Sequence, residues 1–100
     1  MIYVLWEFQI SQQNCVDFVK AYKGDGIWAQ FFRRDSAYVK TILVRDSERE
    51  GSYFTIDVWQ NRESYLRFKH RFAADYAKID KDCEALTDSE RLIGIFEEVV

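Results

Sequence analysis

The chain has 100 residues, of which 48% are hydrophobic, 17% aromatic and 31% charged, and its net charge is −3. This length predicts a single domain over residues 1–100, and the apolar content is enough for one core. The net negative charge argues against a nucleic-acid partner, because neutralising a phosphate backbone takes a concentrated basic surface. The apolar start is too short to span a bilayer and contains Glu7. We therefore expect a cytoplasmic protein with no membrane partner.

The first half of the chain predicts a strand, a helix and a short helical segment. Apolar residues alternate over Tyr3–Ile10, as in a strand with two different faces. Ser11 fits the N-cap of a helix that starts at residue 12 or 13, runs to about Tyr22 and ends at the glycines of KGDG. The sequence IWAQFFRR then predicts one or two helical turns that pack their large aromatic residues, which are Trp28, Phe31 and Phe32.

Two strands joined by a polar hairpin loop come next. Ala37–Arg45 is rich in Val, Ile and Thr and predicts the second strand. The loop RDSEREGS follows, and Tyr53–Trp59 alternates as the third strand. One face of that strand carries Phe54, Ile56 and Val58, and the other carries Tyr53, Thr55, Asp57 and Trp59.

A long helix and a fourth strand complete the chain. Asn61 is expected to cap a helix that runs to about Lys81, with a break near the Ala73–Ala74 pair. Thr87 and Glu90 have the spacing of a capping box and predict a single helical turn. The sequence RLIGIFEEV predicts the last strand.

The order strand, helix, strand, strand, helix, strand predicts an α+β, ferredoxin-like βαββαβ fold. With right-handed crossovers, it gives a four-stranded antiparallel sheet in the order 4-1-3-2 with both helices on one side. We call the covered side the helix face and the other side the open face.

The open face is expected to be apolar. The residues that we place there are Tyr3, Leu5, Glu7 and Gln9 from the first strand and Tyr53, Thr55, Asp57 and Trp59 from the third. Such a patch is too apolar for a lone monomer, so we predict a homodimer packed sheet against sheet with two-fold symmetry. The orientation of the second and fourth strands stays open, because both of their sides carry apolar residues.

Glu7 and Asp57 would then lie on neighbouring strands of the same face. Enclosing both carboxylates between two sheets predicts one of two arrangements. Either they pair with Lys40 or an arginine, or a carboxyl pKa is raised and the group is suited to acid or base catalysis.

The segments GIWAQFF, AYVKTILVRD, YFTIDVWQNRESYLRF and CEALTDSERLIGIFE together resemble the antibiotic biosynthesis monooxygenase family of dimeric α/β barrels. The most recognisable part is the strand that ends in Trp59, followed by a polar cap and a helix with Tyr65 and Phe68. In quinone-forming members of the family, oxygen reacts with an electron-rich aromatic substrate without metal or flavin, so the resemblance implies no cofactor. Trp59 and Tyr65 match the Trp and Tyr of that pocket, whereas Thr55 stands about where the family has an Asn.

The resemblance also implies a set of site residues. Trp59, Tyr65 and Asp57 are the candidate catalytic residues, and Asp57, Tyr65 or His70 could accept the proton of a phenol. The pocket is expected between the sheet and the second helix, with an aromatic wall that includes Trp59 and Tyr65. The further candidates for substrate binding are Trp28, Phe32, Phe72, Tyr76 and His70. The alternative is ordinary core packing for the aromatic residues and an exposed position for His70.

Haem and metal chemistry are disfavoured by the residue types present. Haem-degrading members of the family use an Asn on the first strand and a Trp and a His on the second helix. The matching positions here hold Glu7, Phe68 and Lys78. Cys15 and Cys83 are far apart and form no metal-binding spacing, so we expect free thiols and no metal site.

Three functions remain compatible with the sequence. The preferred hypothesis is a cofactor-independent monooxygenase or related enzyme that acts on a small aromatic molecule. A non-catalytic small-molecule binder predicts the same pocket without a proton acceptor, and a structural homodimer predicts no cavity. An RNA-recognition module shares the order of elements, but its third strand needs basic residues beside the aromatic ones, and YFTIDVW has Asp57 and no base.

Overall fold

A computed structural model describes all residues of the protein, 1–100. The strands and helices are β1 Ile2–Gln9, α1 Cys15–Tyr22, α2 Ile27–Phe32, β2 Tyr38–Arg45, β3 Ser52–Trp59, α3 Arg62–Arg71, α4 Ala73–Cys83 and β4 Ser89–Glu97. Short 3₁₀ turns precede α1 and follow α4. The four strands form one antiparallel sheet in the order β2-β3-β1-β4. This confirms the predicted ferredoxin-like fold and its 4-1-3-2 sheet.

The third strand faces the opposite way from the prediction. Its Asp57 lies across from Val4 of β1, and its Ile56 lies across from Leu5. The helix face therefore carries Tyr53, Thr55, Asp57 and Trp59, and the open face carries Phe54, Ile56 and Val58. The prediction failed because both sides of this strand are rich in apolar groups, so alternation alone did not indicate which side the helices cover.

The predicted placement of Glu7 and Asp57 on one face is wrong for the same reason, although each of the two expected arrangements, an arginine partner and a raised carboxyl pKa, occurs at one of these residues. Glu7 lies on the open face and accepts a hydrogen bond from Arg91 of the same chain at 3.0 Å. The side chain of Arg91 is 70% exposed, so the pair is screened by solvent and contributes little to stability. Asp57 lies on the other side of the sheet, beneath the helices, and pairs with neither Lys40 nor an arginine.

Irregular strand pairing determines which side chains of β2 and β4 lie on each face, a point that the sequence left open. The register of β2 against β3 shifts between Tyr38 and Lys40, so Val39 is an extra residue at this point. Beyond it, Thr41 pairs with Asp57 on the helix face and Ile42 pairs with Ile56 on the open face. A second shift lies in β4, opposite the step from Leu5 to Trp6 of β1.

The helix boundaries match the predictions in part. Asn61 caps α3, since its side-chain oxygen accepts a hydrogen bond from the backbone N–H of Ser64 at 2.8 Å. The expected break of the long helix occurs at Phe72, between α3 and α4. Ser11 does not cap the first helix, because its hydroxyl donates instead to Asp88 at 2.7 Å.

The predicted capping box is also wrong. The short turn after α4 comes before Thr87, and Glu90 lies inside β4, opposite Phe8. The acidic side chain at this position belongs to the sheet, which places it on the helix face.

The core lies between the helix face and the helices, and it is largely aromatic. Trp59, Phe18, Phe68 and Val4 are its most completely buried large side chains. Phe68 contacts Trp59 with ring centroids 5.3 Å apart, and Phe18 contacts Tyr53 at 5.2 Å. None of the helices has the length and apolar character that a membrane span needs.

Candidate active site

A cavity of about 160 Å³ separates the helix face of the sheet from the helices. Its aromatic lining consists of Trp6, Phe8, Tyr22, Trp28, Phe32 and Tyr76. Its polar lining consists of Thr41, Thr55, Asp57, Lys69, Asp80 and Glu90. An apolar cavity of about 150 Å³ is large enough to hold benzene. The space therefore suits one aromatic ring, or two with the second ring towards the opening.

The short helix α2 supplies one aromatic wall. Gly26 precedes it, and a Cβ at this position would lie 2.3 Å from the carbonyl oxygen of Ala21. Only glycine lets the chain pass α1 so closely and start α2 where it does. Trp28 and Phe32 are one helical turn apart on α2, with ring centroids separated by 5.9 Å. Trp28 also meets Tyr76 of α4 edge-on at 5.1 Å, which closes the wall.

Asp57 supplies a buried carboxylate at the sheet side of the cavity. The side chain is 6% exposed, and its Oδ1 accepts a hydrogen bond from the hydroxyl of Thr41 at 2.6 Å. Burial raises the pKa of Asp57 from 3.8 to about 6, although the hydrogen bond from Thr41 opposes the rise. A carboxylate with a pKa close to neutral is a much better proton acceptor than an ordinary one. Asp57 can therefore act as a general base on a bound ligand.

Lys69 supplies a positive charge to the same cavity. Its ammonium group lies over the rings of Tyr65, at 5.5 Å, and Tyr76, at 5.1 Å. It makes no salt bridge with an acidic side chain. Since the aromatic faces hold the ammonium group without neutralising it, Lys69 can attract an anionic oxygen of a ligand.

Two exposed acidic residues, Asp80 and Glu90, lie where the cavity meets solvent. The pKa of Glu90 is raised, first because its carboxyl is partly shielded from solvent although the residue as a whole is exposed, and then by the nearby charge of Asp80. No group of three or more His, Cys, Asp or Glu side chains is placed to bind a metal ion.

The structure separates the candidate site residues into two groups. Four of them line the cavity, namely Asp57, Trp28, Phe32 and Tyr76. The other four do not line it, namely Trp59, Tyr65, Phe72 and His70.

Those four candidates lie in the core or at the surface. Trp59 is fully enclosed, and its ring lies 5.6 Å from that of Tyr65. Burial raises the pKa of Tyr65 to about 12, so its phenol stays protonated near neutral pH. Phe72 packs on Phe68 with ring centroids 4.7 Å apart. His70 is exposed on α3.

Several cavity residues are not among the candidates that the sequence indicates. Lys69 has a detectable signal, because it follows Tyr65 by four residues and precedes Tyr76 by seven, which places it within the buried stripe of the long helix. Trp6 alternates with Val4 and Phe8 in the first strand, a pattern that indicates a buried face but not a pocket. No sequence pattern indicates that Thr41 faces the cavity, because its orientation depends on the irregular strand pairing at Val39.

Comparison with solved structures identifies the same fold in several monooxygenases. SnoaB, a cofactor-independent oxygenase from Streptomyces nogalater, superposes with a TM-score of 0.71 at 19% identity, over 99% of this chain and 93% of that one. A proposed antibiotic biosynthesis monooxygenase from Deinococcus radiodurans has a TM-score of 0.76 at 12% identity, over 100% and 94% of the two chains. A similarly described protein from Nitrosomonas europaea has a TM-score of 0.67 at 8% identity, over 100% of both chains.

The comparisons confirm that the predicted resemblance holds at the level of the fold. At these identities, the likeness extends to the architecture alone. No family model matches the sequence, and no curated protein matches it.

Proposed function

We propose that this protein is a cofactor-independent monooxygenase that oxidises a small phenol of one or two rings to a quinone. The observation that supports it most is Asp57, a buried carboxylate with a pKa raised to about 6, at the wall of an aromatic cavity. The shared fold with an oxygenase and other monooxygenases adds support. A purely structural dimer would have no use for a carboxylate kept in such a place, because burying it costs stability.

The cavity residues can perform the proton transfer that this chemistry needs. The phenol ring packs among Trp6, Trp28 and Phe32, and its hydroxyl proton passes to Asp57. The phenolate oxygen is stabilised by the ammonium group of Lys69. Deprotonation raises the electron density of the ring, so that a phenol that is already electron-rich can reduce oxygen directly.

The overall reaction balances without a further reductant. Oxygen takes electrons from the phenolate, and a carbon–oxygen bond forms at the ring carbon para to the hydroxyl. That carbon loses its hydrogen, the oxygen–oxygen bond breaks, and the second oxygen atom leaves as water. One phenol and one oxygen molecule give one quinone and one water, so the substrate supplies all four electrons.

We also propose that the protein forms a homodimer through the open face. Ile42, Val44 and Phe96 are each about two-fifths exposed in the single chain, at 38%, 41% and 45%. They surround Leu5 and Ile56 at the centre of the sheet. An apolar surface of this kind is covered in stable proteins, and a second copy of the same face would bury the roughly 1,600 Å² typical of a specific interface.

The experiment for the proposed function is oxygen uptake with a panel of anthrones and of dihydroxynaphthalenes that carry a hydrogen at the ring carbon para to a hydroxyl. Because the cavity holds one or two rings, we expect uptake with the naphthalenes to exceed uptake with the three-ring anthrones. Each quinone formed should consume one oxygen molecule. Binding of the naphthalenes without oxygen uptake would support the non-catalytic binder instead, and neither binding nor uptake would contradict both.

A further inference from the structure

Two residues of β2, Tyr38 and Thr41, meet on the helix face although they are three positions apart. In a regular strand, residues with this spacing point to opposite sides of the sheet. The extra residue at Val39 shifts the register between Tyr38 and Lys40 and brings both side chains to the same side. Both are buried, each 7% exposed. Bulges of this kind commonly redirect a side chain beside a functional site.

The two hydroxyl groups and Asp57 form a chain of hydrogen bonds with a defined direction. The oxygen of Tyr38 lies 2.7 Å from that of Thr41, and the oxygen of Thr41 lies 2.6 Å from Oδ1 of Asp57. An ionised carboxylate only accepts, so the single hydroxyl proton of Thr41 goes to Asp57. Tyr38 must then donate to Thr41. The chain leaves the second oxygen of Asp57 without a side-chain partner.

We propose that Thr41, held by Tyr38, is a positioning residue that fixes the carboxylate of Asp57 with one oxygen bound and the other free for a ligand in the cavity. The inference rests on the proposed function for the role of Asp57 as a base. A bound Oδ1 prevents the carboxylate from turning about its last side-chain bond, so the free oxygen keeps one direction. The same hydrogen bond favours the ionised form of the group.

The test is the titration of the Asp57 side-chain carbon by NMR, which needs no substrate and no oxygenase activity. In Thr41→Val the hydrogen bond to the carboxylate is lost, and we expect the pKa of Asp57 to rise by about 1. Thr41→Ser keeps a hydroxyl and should restore the wild-type titration. Tyr38→Phe removes only the outer donor and should give a smaller rise in the same direction.

Thr55→Val is the matched control. Thr55 is a buried threonine of the same cavity, at 4% exposed, but it makes no hydrogen bond to Asp57. Its substitution should shift the pKa of Asp57 by less than a third as much as Thr41→Val. An unchanged pKa in both Thr41→Val and Tyr38→Phe would overturn the proposal, and so would an equal rise in Thr55→Val. If the proposed function fails while these shifts occur, the positioning role remains and only the reaction is wrong.

Discussion

The two faces of the sheet are built by the same four strands but have different chemistry. The helix face is enclosed, yet it carries Thr41, Thr55 and Asp57 among aromatic rings. The open face is partly exposed, yet its centre is aliphatic, with Leu5 and Ile56 side by side. Polarity is therefore a poor guide to which face the helices cover. Polar groups are retained beneath the helices where they border a cavity, and apolar groups remain outside where a second surface can cover them.

The largest effect that we expect comes from placing a charge at the centre of the open face. Ile56→Lys would bury one charge from each copy in the proposed symmetric interface, where the two like charges repel each other. The dissociation constant of the dimer should rise about ten-thousandfold. At about 1.4 kcal/mol per tenfold change, this is a loss of more than about 5 kcal/mol of binding free energy. Sedimentation velocity measures the change. If wild-type protein already sediments as a 12.0 kDa monomer at micromolar concentration, the proposed interface is wrong.

The next largest effect is expected in the core of the helix face. Phe68→Ala removes a ring that is 1% exposed and contacts Phe31, Phe32, Trp59 and Phe72. The free energy of unfolding should fall by about 3–5 kcal/mol, as for other buried phenylalanines. Leu66→Ala on the same helix is the control, because Leu66 is 45% exposed and should cost less than about 1 kcal/mol. Urea unfolding measures the stability of both variants. An equal loss of unfolding free energy in Phe68→Ala and Leu66→Ala would contradict the central position of Phe68 in the core.

Asp57→Asn should stabilise the protein in a pH-dependent way. The folded pKa of Asp57, about 6, lies above the unfolded value of 3.8, so between these values the folded protein binds more protons than the unfolded chain. Its contribution to stability is present at low pH and is lost as the pH rises through about 6. The asparagine variant lacks this loss, so its stability relative to wild type should increase by about 2–3 kcal/mol between pH 4 and pH 8.

The difference in stability between wild type and Asp57→Asn reports the titration of Asp57 alone. Glu90 also has a raised pKa, but it is present in both proteins and cancels in the difference. Chemical denaturation at a series of pH values gives the measurement. A stability difference that is independent of pH would show that Asp57 does not titrate abnormally.

The smallest effect is expected at Lys69. Lys69→Met keeps most of the apolar stem and removes the charge, so a naphthol should bind about five- to tenfold more weakly, which corresponds to about 1 kcal/mol. Lys78→Met, at an exposed position of α4 outside the cavity, should bind as wild type does. Quenching of the tryptophan fluorescence by the naphthol reports binding, because Trp6 and Trp28 line the cavity. Equal naphthol affinities of Lys69→Met and Lys78→Met would show that Lys69 does not contribute to binding.

The sequence was sufficient for the order of elements and for the fold, because alternation, helical spacing and the cap at Asn61 are local signals. It was not sufficient for the face of β3, where apolar residues occupy both sides. It also could not predict the contact between Thr41 and Asp57, since this depends on the extra residue at Val39. Trp28, Phe32 and Tyr76 were found as aromatic residues at helical spacing, but a cavity beside them depends on three-dimensional packing.

The measurement that tests the proposed function most directly is the pH profile of oxygen uptake in wild type and Asp57→Asn. Asp17→Asn, an exposed acid on α1, serves as the control. The wild-type rate with a dihydroxynaphthalene should rise with pH through about 6, as Asp57 ionises. The Asp57→Asn rate should be lower by about a hundredfold or more and should lack this rise, as expected when a general base is lost. An Asp57→Asn variant that retains the wild-type rate and pH profile would contradict a catalytic role for Asp57.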